Sequence, residues 1–166
     1  MAISEYIRDL RTLVGTRLLH VPAAAGLVRD AAGRVLLVQH ANGGVWACPG
    51  GAVDPDEAPQ DAARREVWEE TGLLVEPVGL CGVFGGPHCR VRYANGDEVS
   101  YVISVFACRQ VGGALQSDGE ETLDARFVTP AEALALPLSG WSRVVLPVLL
   151  GGRETWVPPA TWTPPR

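Results

Sequence analysis

Residues 51–73 limit what this chain can fold into more than any other stretch. They read GAVDPDEAPQDAARREVWEETGL: a glycine, a turn region carrying two prolines, then a run of good helix formers. From about Pro59 the pattern predicts a helix over residues 60–71, stopped by Gly72, because glycine takes the left-handed conformation that closes a helix without a Cβ penalty. On that helix Glu66, Glu69 and Glu70 fall at i, i+3 and i+4 and share a face, while Ala63 and Val67 lie toward the opposite side and can pack on a sheet. Like charges ~5 Å apart repel by about 3 kcal/mol per pair at an effective dielectric of ~20, and by less where solvent screens them. Arg64 and Arg65 are the nearby cations, and Arg65 is expected to point partly sideways, so internal pairing is a weak remedy. A divalent metal is the better one. Carboxylate oxygens without histidine or thiolate favour Mg²⁺, with Mn²⁺ as the second choice, and several retained waters. Taken alone, however, an acidic helix face is more often a solvated surface.

The surroundings read as α/β. Ser4 and Gly15 bracket a helix with Ile7, Leu10 and Val14 at helical spacing, which docks either on its own domain or on a second subunit. Residues 23–29 and 34–40 read as two strands joined through Asp30 and Gly33 into a hairpin. The unbroken apolar run 35–38 suits a strand buried on both faces, hence covered by helices. Pro49-Gly50-Gly51 predicts a tight turn that exposes its backbone.

Downstream, residues 74–84 read as a strand that Gly85-Gly86-Pro87 breaks, followed by a hairpin turning at Asn95-Gly96, a type I′ signal. Arg90 and Arg92 share one face of that hairpin, where they either contact substrate phosphate or keep a strand edge soluble. His88 and Cys89 lack partners at metal-ligand spacing, which argues against zinc. A loop with Gly112, Gly113, Asp118 and Gly119 leads to Glu120 and Glu121 and a further strand at 125–128. Residues 130–136 and 140–150 read as helices, the second with Pro147 inside it. The organisation expected is one domain over residues 1–150, with residues 1–15 as a helical extension, and a proline-rich tail at 151–166 carrying Trp156 and Trp162.

Composition removes several function classes. All 14 basic residues are arginine, which excludes Schiff-base lysine chemistry and a lysine-ended phosphate loop. A net charge of -5 without a basic stripe argues against nucleic acid as a general partner. No apolar run reaches the ~20 residues of a membrane span, and nothing at the N-terminus reads as a signal segment. Four cysteines without a Cys-x-x-Cys pair suit reduced thiols and a cytoplasmic setting.

Glycine, five residues, Glu57, seven residues, Arg65-Glu66, Val67, one residue, Glu69-Glu70, Thr71, Gly72 and Leu73 fill every fixed position of a known signature. The stretch resembles that of the Nudix hydrolases, and the full pattern reverses the preference for a solvated surface. The resemblance implies an α/β/α sandwich with a mixed β-sheet, and cleavage of a pyrophosphate in a small nucleotide with the help of Mg²⁺. It implies Glu66, Glu69 and Glu70 as metal ligands, the Gly50 carbonyl as a further one, and Glu57 with Arg65 as a brace between loop and helix. A glutamate before the late strand is implied as an extra ligand or general base, which makes Glu121 the first candidate and Glu120 the second; Glu66 is the other candidate base. Pro87 falls near the place where a downstream proline marks ADP-ribose hydrolases. ADP-ribose or a nucleotide sugar therefore leads over a nucleoside triphosphate, oxidised or not. A non-catalytic nucleotide sensor is the reading from another class, and a homodimer the partner beyond substrate.

Overall fold

The computed structural model describes residues 4–117 and 119–152. Its elements in chain order are α1 (Glu5–Val14), β1 (Leu19–Val28), β2 (Val35–His40), β3 (Trp46–Ala47), β4 (Gly50–Ala52), α2 (Pro59–Thr71), β5 (Leu73–Phe84), β6 (Arg90–Arg92), β7 (Glu98–Gly113), β8 (Thr122–Val128), α3 (Pro130–Ala135) and α4 (Gly140–Leu150). From Ala23 onward every residue of β1 is buried, on both faces. Side chains alternate across a strand, and β1 divides accordingly. Ala23, Ala25 and Leu27 join the core shared with α4 (Val145, Leu146 and Leu149), while Ala24 and Val28 turn to α2 through Ala62, Ala63 and Val67. Val35 to Val38 of β2 are also fully buried. Helices therefore flank the strands on both sides, as a doubly buried strand requires.

Two sheets share this core. In the first, β1 runs parallel to β7 with Leu19 opposite Val99 and Val28 opposite Cys108, and antiparallel to β4; β5 and β6 pair antiparallel with β7. In the second, β2 lies between β3 and β8. The hairpin expected of the first two strands is thus reduced to its closing contact, the Arg29–Val35 bridge with Asp30 N–H donating to the Arg34 carbonyl. Beyond that point β1 and β2 part into different sheets, β2 finding its long ladder on β8. The Asn95-Gly96 hairpin does form, with another turn. Only Gly96 has positive φ (87°), and Tyr93 N–H meets the Asp97 carbonyl, the pattern of a type I turn ending in a glycine bulge. Pro87–Cys89 forms a single 3-10 turn, and α4 runs through Pro147 from its Ser139 cap.

α1 docks on its own domain. Ser4 Oγ accepts from Ile7 N–H at 3.3 Å, capping the helix, and Gly15 closes it. Arg11 does the docking: its guanidinium donates to the carbonyls of Gly15 (3.0 Å), Arg17 (2.6 Å) and Glu98 (2.9 Å) and lies 3.4 Å from the Asp97 carboxylate. No residue of α1 is buried. All four cysteines are free and buried, and burial pushes the thiols of Cys48 and Cys108 up to about 12. No described helix is long and apolar enough to cross a membrane. The proline-rich tail with Trp156 and Trp162 lies outside the described residues.

Candidate metal centre and substrate chamber

α2 starts with Pro59 in its first turn and ends at Gly72, whose φ of 69° lets its N–H close on the Trp68 carbonyl. The helix lays Ala62, Ala63 and Val67 on the sheet, and the same rotation carries two of the three signature glutamates inward. Glu66 and Glu70 are 4% and 2% exposed, whereas the Glu69 side chain remains 47% exposed. The acidic face is therefore split by depth, and only its rim is solvated.

Arg65 holds this face together, contrary to the sequence expectation that its pairing would be weak. Its Nε and Nη2 donate to the two Glu57 carboxylate oxygens, each at 2.9 Å, and Nη2 also reaches the Ala52 carbonyl at 3.0 Å. Nη1 donates to Glu66 Oε1 at 2.8 Å and to Glu69 Oε2 at 3.1 Å. The planar five-donor fork of arginine is suited to such simultaneous contacts. Glu57 in turn accepts from Asp54 N–H at 3.1 Å, so one guanidinium links loop, strand and helix. The hydrogen bonds from Arg65 hold the Glu57 carboxyl below its usual value, and the same contacts raise the guanidinium further. Glu66 moves the other way: desolvation raises it, and Arg65 offsets only part of that.

Gly50 and Gly51 matter for closeness, since they form strand β4 rather than a turn and neither has positive φ. A Cβ on Gly51 would overlap the Glu66 carboxylate, and one on Gly50 would sit 2.7 Å from the Ala25 Cβ. Gly50 N–H donates to Glu70 Oε2 at 3.0 Å. Sequence reasoning missed His40. At the end of β2 its Nδ1 lies 3.7 Å from Glu70 Oε1, and burial lowers its pKa. Its position as the last residue of a buried strand, just before the loop to β3, was the signal available.

Among the described residues no three His, Cys, Asp or Glu side chains converge on one metal position, and Arg65 instead bridges Glu57, Glu66 and Glu69. The donor chemistry nevertheless fits a hard divalent ion. Carboxylates dominate the cluster, and two of them are buried where negative charge calls for compensation.

A cavity of about 500 Å³ opens beside this cluster. Gly50 and Gly51 lie in its wall, as do Glu120 and Glu121 from the late loop and Trp141 from α4. The Glu121 carbonyl accepts from Ala41 N–H at 2.8 Å, which ties that loop to the end of β2. Val91 and Tyr93 of the hairpin line the cavity, with Tyr93 and Tyr101 hydroxyls 2.8 Å apart. Arg90 and Arg92 alternate away from it; both pair with Glu98, Arg90 the more closely, and hold its carboxyl low. The structure does not bring these two arginines to the chamber.

A carboxylate-bearing helix braced by arginine thus lies against a glycine strand that walls a largely apolar chamber. A family model described as NUDIX domain matches residues 19–149, and the chain belongs to that family of hydrolases. It is 38% identical over 114 residues to a MutT-like protein of Streptomyces ambofaciens, covering 69% of this chain and 67% of that one. It is 33% identical over 129 residues to an ADP-ribose pyrophosphatase of Methanocaldococcus jannaschii, covering 75% and 72%. A Bacillus subtilis protein provisionally named an 8-oxo-dGTP diphosphatase is 32% identical over 120 residues, covering 72% of each chain. Among solved structures, a MutT protein from Bacillus halodurans shares the fold with a TM-score of 0.64 at 24% identity, covering 81% of this chain and 84% of that one. Nudix enzymes act on small nucleotides and generally use divalent metal ions.

Proposed function

We propose that this enzyme uses Mg²⁺, or Mn²⁺ in its place, to cleave the pyrophosphate of a nucleoside diphosphate joined to another moiety, of the ADP-ribose or nucleotide-sugar kind. The observation that carries this reading is the chamber whose wall includes the Gly50-Gly51 strand, against which the buried Glu66 and Glu70 carboxylates lie. Glu66, Glu69, Glu70 and the Gly50 carbonyl would hold the ion. An ion held there would supply charge neutralisation for phosphate oxygens and would ease deprotonation of a water. Glu121, from the late loop, would take the proton of the attacking water, and Arg65 with Glu57 keeps helix and loop in register. Buried free thiols suit a reducing compartment, and we place the enzyme in the cytoplasm.

The electrostatics of the chamber support a diphosphate over a triphosphate. The one arginine in its described lining, Arg11, is committed to Asp97 and three carbonyls, while Glu120 and Glu121 add negative charge. Extra phosphates would enter with no further cation to meet them. The Bacillus subtilis relative gives the triphosphate its own support, so both classes belong in one assay. Phosphate-bond cleavage is followed with Mg²⁺ over ADP-ribose, nucleotide sugars, dinucleoside polyphosphates and ordinary and oxidised nucleoside triphosphates. The expected outcome is a highest kcat/KM on a diphosphate-linked compound. Preference for a triphosphate overturns the substrate assignment, and tight binding without turnover of any compound overturns the enzyme reading in favour of a sensor.

A further inference from the structure

We propose that α1 is a specificity element: it forms the outer wall of the chamber, where Ile7, positioned by Arg11, packs on the uncharged base of the nucleotide. This rests on reading the chamber as the substrate site. Four observations carry it. One cavity of about 500 Å³ is lined both by Ser4, Ile7 and Arg11 and by Gly50 and Gly51, the strand against which the Glu66 and Glu70 carboxylates lie. That volume lies within the range of ~300–1,000 Å³ seen for small-ligand pockets. The family match begins at residue 19, after α1, so the helix lies outside the part of the chain that the family model matches.

The third observation is a packing deficit. Ile7, Leu10 and Val14 give α1 an apolar stripe at helical spacing, and such a stripe is normally buried against a core. Here all three remain only half-buried, and Ile7 borders the cavity instead of filling a core position. A flat aromatic group entering the chamber would meet Ile7 on one side and Val99, Ile103 and the Tyr93–Tyr101 pair elsewhere. The fourth concerns Arg11. Each of its terminal nitrogens already donates to a carbonyl, and Nε faces Asp97. Arg11 is thus a positioning residue that ties α1 to the β6–β7 hairpin, with its charge met by Asp97 and four of its five N–H groups engaged. A neutral base, not a charged tail, suits this end of the chamber.

Two measurements on the full-length protein test the inference. Hydrogen exchange of α1 amides is followed with and without AMP, GMP, CMP and UMP, which requires no turnover. Steady-state kinetics on whichever compound is hydrolysed then compare wild type with Ile7→Ala, Arg11→Ala and Arg11→Lys. The expected result is slowed exchange in α1 with at least one nucleotide. Ile7→Ala is expected to raise KM by about tenfold, as loss of apolar contact in a binding pocket does, with kcat nearly unchanged and an altered order of base preference. Arg11→Ala should behave likewise, and Arg11→Lys should recover part of the loss. Turnover with unchanged α1 exchange and unchanged KM in Ile7→Ala overturns the role of α1 and leaves the hydrolase reading intact. Protection of α1 without turnover of any compound keeps the role and overturns the hydrolase reading.

Discussion

One guanidinium, that of Arg65, balances carboxylates on both sides of the signature, and its removal would leave Glu66 buried beside no countercharge. Breaking such a pair costs about 3–5 kcal/mol in a dry interior, and the partial exposure of Arg65 lowers this to about 2 kcal/mol. Arg65→Ala is therefore expected to lower the denaturant midpoint clearly, with Arg65→Lys intermediate because a lysine lacks the fork; equal stability of all three proteins would sink the brace. The Glu57 contact adds a pH signature in metal-free buffer. Its folded pKa lies below the usual 4.5, so its stabilisation is present above that value and is lost as pH falls through the depressed folded one. The Tm gap between wild type and Glu57→Gln should accordingly be widest near neutrality and close at acid pH. Glu70→Gln keeps the shape and the Gly50 contact at one oxygen but removes charge. It should cut turnover by orders of magnitude and weaken Mg²⁺ binding while the circular dichroism is unchanged; a wild-type rate would refute the ligand assignment. The sequence located these residues because a fixed helical spacing needs no tertiary knowledge. The reach of Arg65 to Glu57 and Ala52 depends on how the preceding loop folds back, which helical spacing does not encode.

At the scale of elements, the passage from α2 into β5 depends on two glycines that meet at one end of the β5–β7 ladder, where Leu73 pairs with Gly113. Gly72 has φ 69°, with the Ala114 carbonyl 2.6 Å from where a Cβ would stand, and Gly113 has φ 79° against the Gly72 carbonyl and the Leu74 N at 2.8 Å. Backbone, not a flexible side chain, blocks both sites. Gly113→Ala should therefore destabilise by at least about 2 kcal/mol, read as a lower urea midpoint at constant slope; a loss of only a few tenths would mean the ladder shifts freely. Element types were largely legible. α1, α2 and the strand ending at Phe84 follow from caps, periodicity and breakers, all of them local signals. Partnership was not. The Asp30–Gly33 turn closes as expected, but which strand β2 pairs with is decided by burial of its Val35 to Val38 run against β8, some ninety residues away in sequence.

For the whole molecule, the chamber is assembled from parts far apart in the chain: α1, the glycine strand, the β6–β7 hairpin, the late loop and the start of α4. The sequence supplied each part but not their convergence, and it left Arg90 and Arg92 open as substrate contacts because the face a short strand presents depends on its register. The late loop gives the test at this scale. Glu121→Gln should lower kcat by about 10²–10⁴-fold, the usual worth of a positioned general base, with little change in Tm because the loop is tied to β2 through backbone. Unaltered kcat in that variant would return the role of base to Glu66.

The buried thiols turn the enzyme into its own reporter of opening. A thiol pushed up to about 12 is thiolate in only about one molecule in 10⁵ at neutral pH, and alkylating reagents attack the thiolate. Cys48 adjoins Pro49 and the glycine strand beside the carboxylate cluster, while Cys108 lies under α2 on β7. Iodoacetamide, with the labelled peptides separated by mass, should therefore time the breathing of the glycine strand and of the central sheet separately, in the unmodified protein and without an engineered probe.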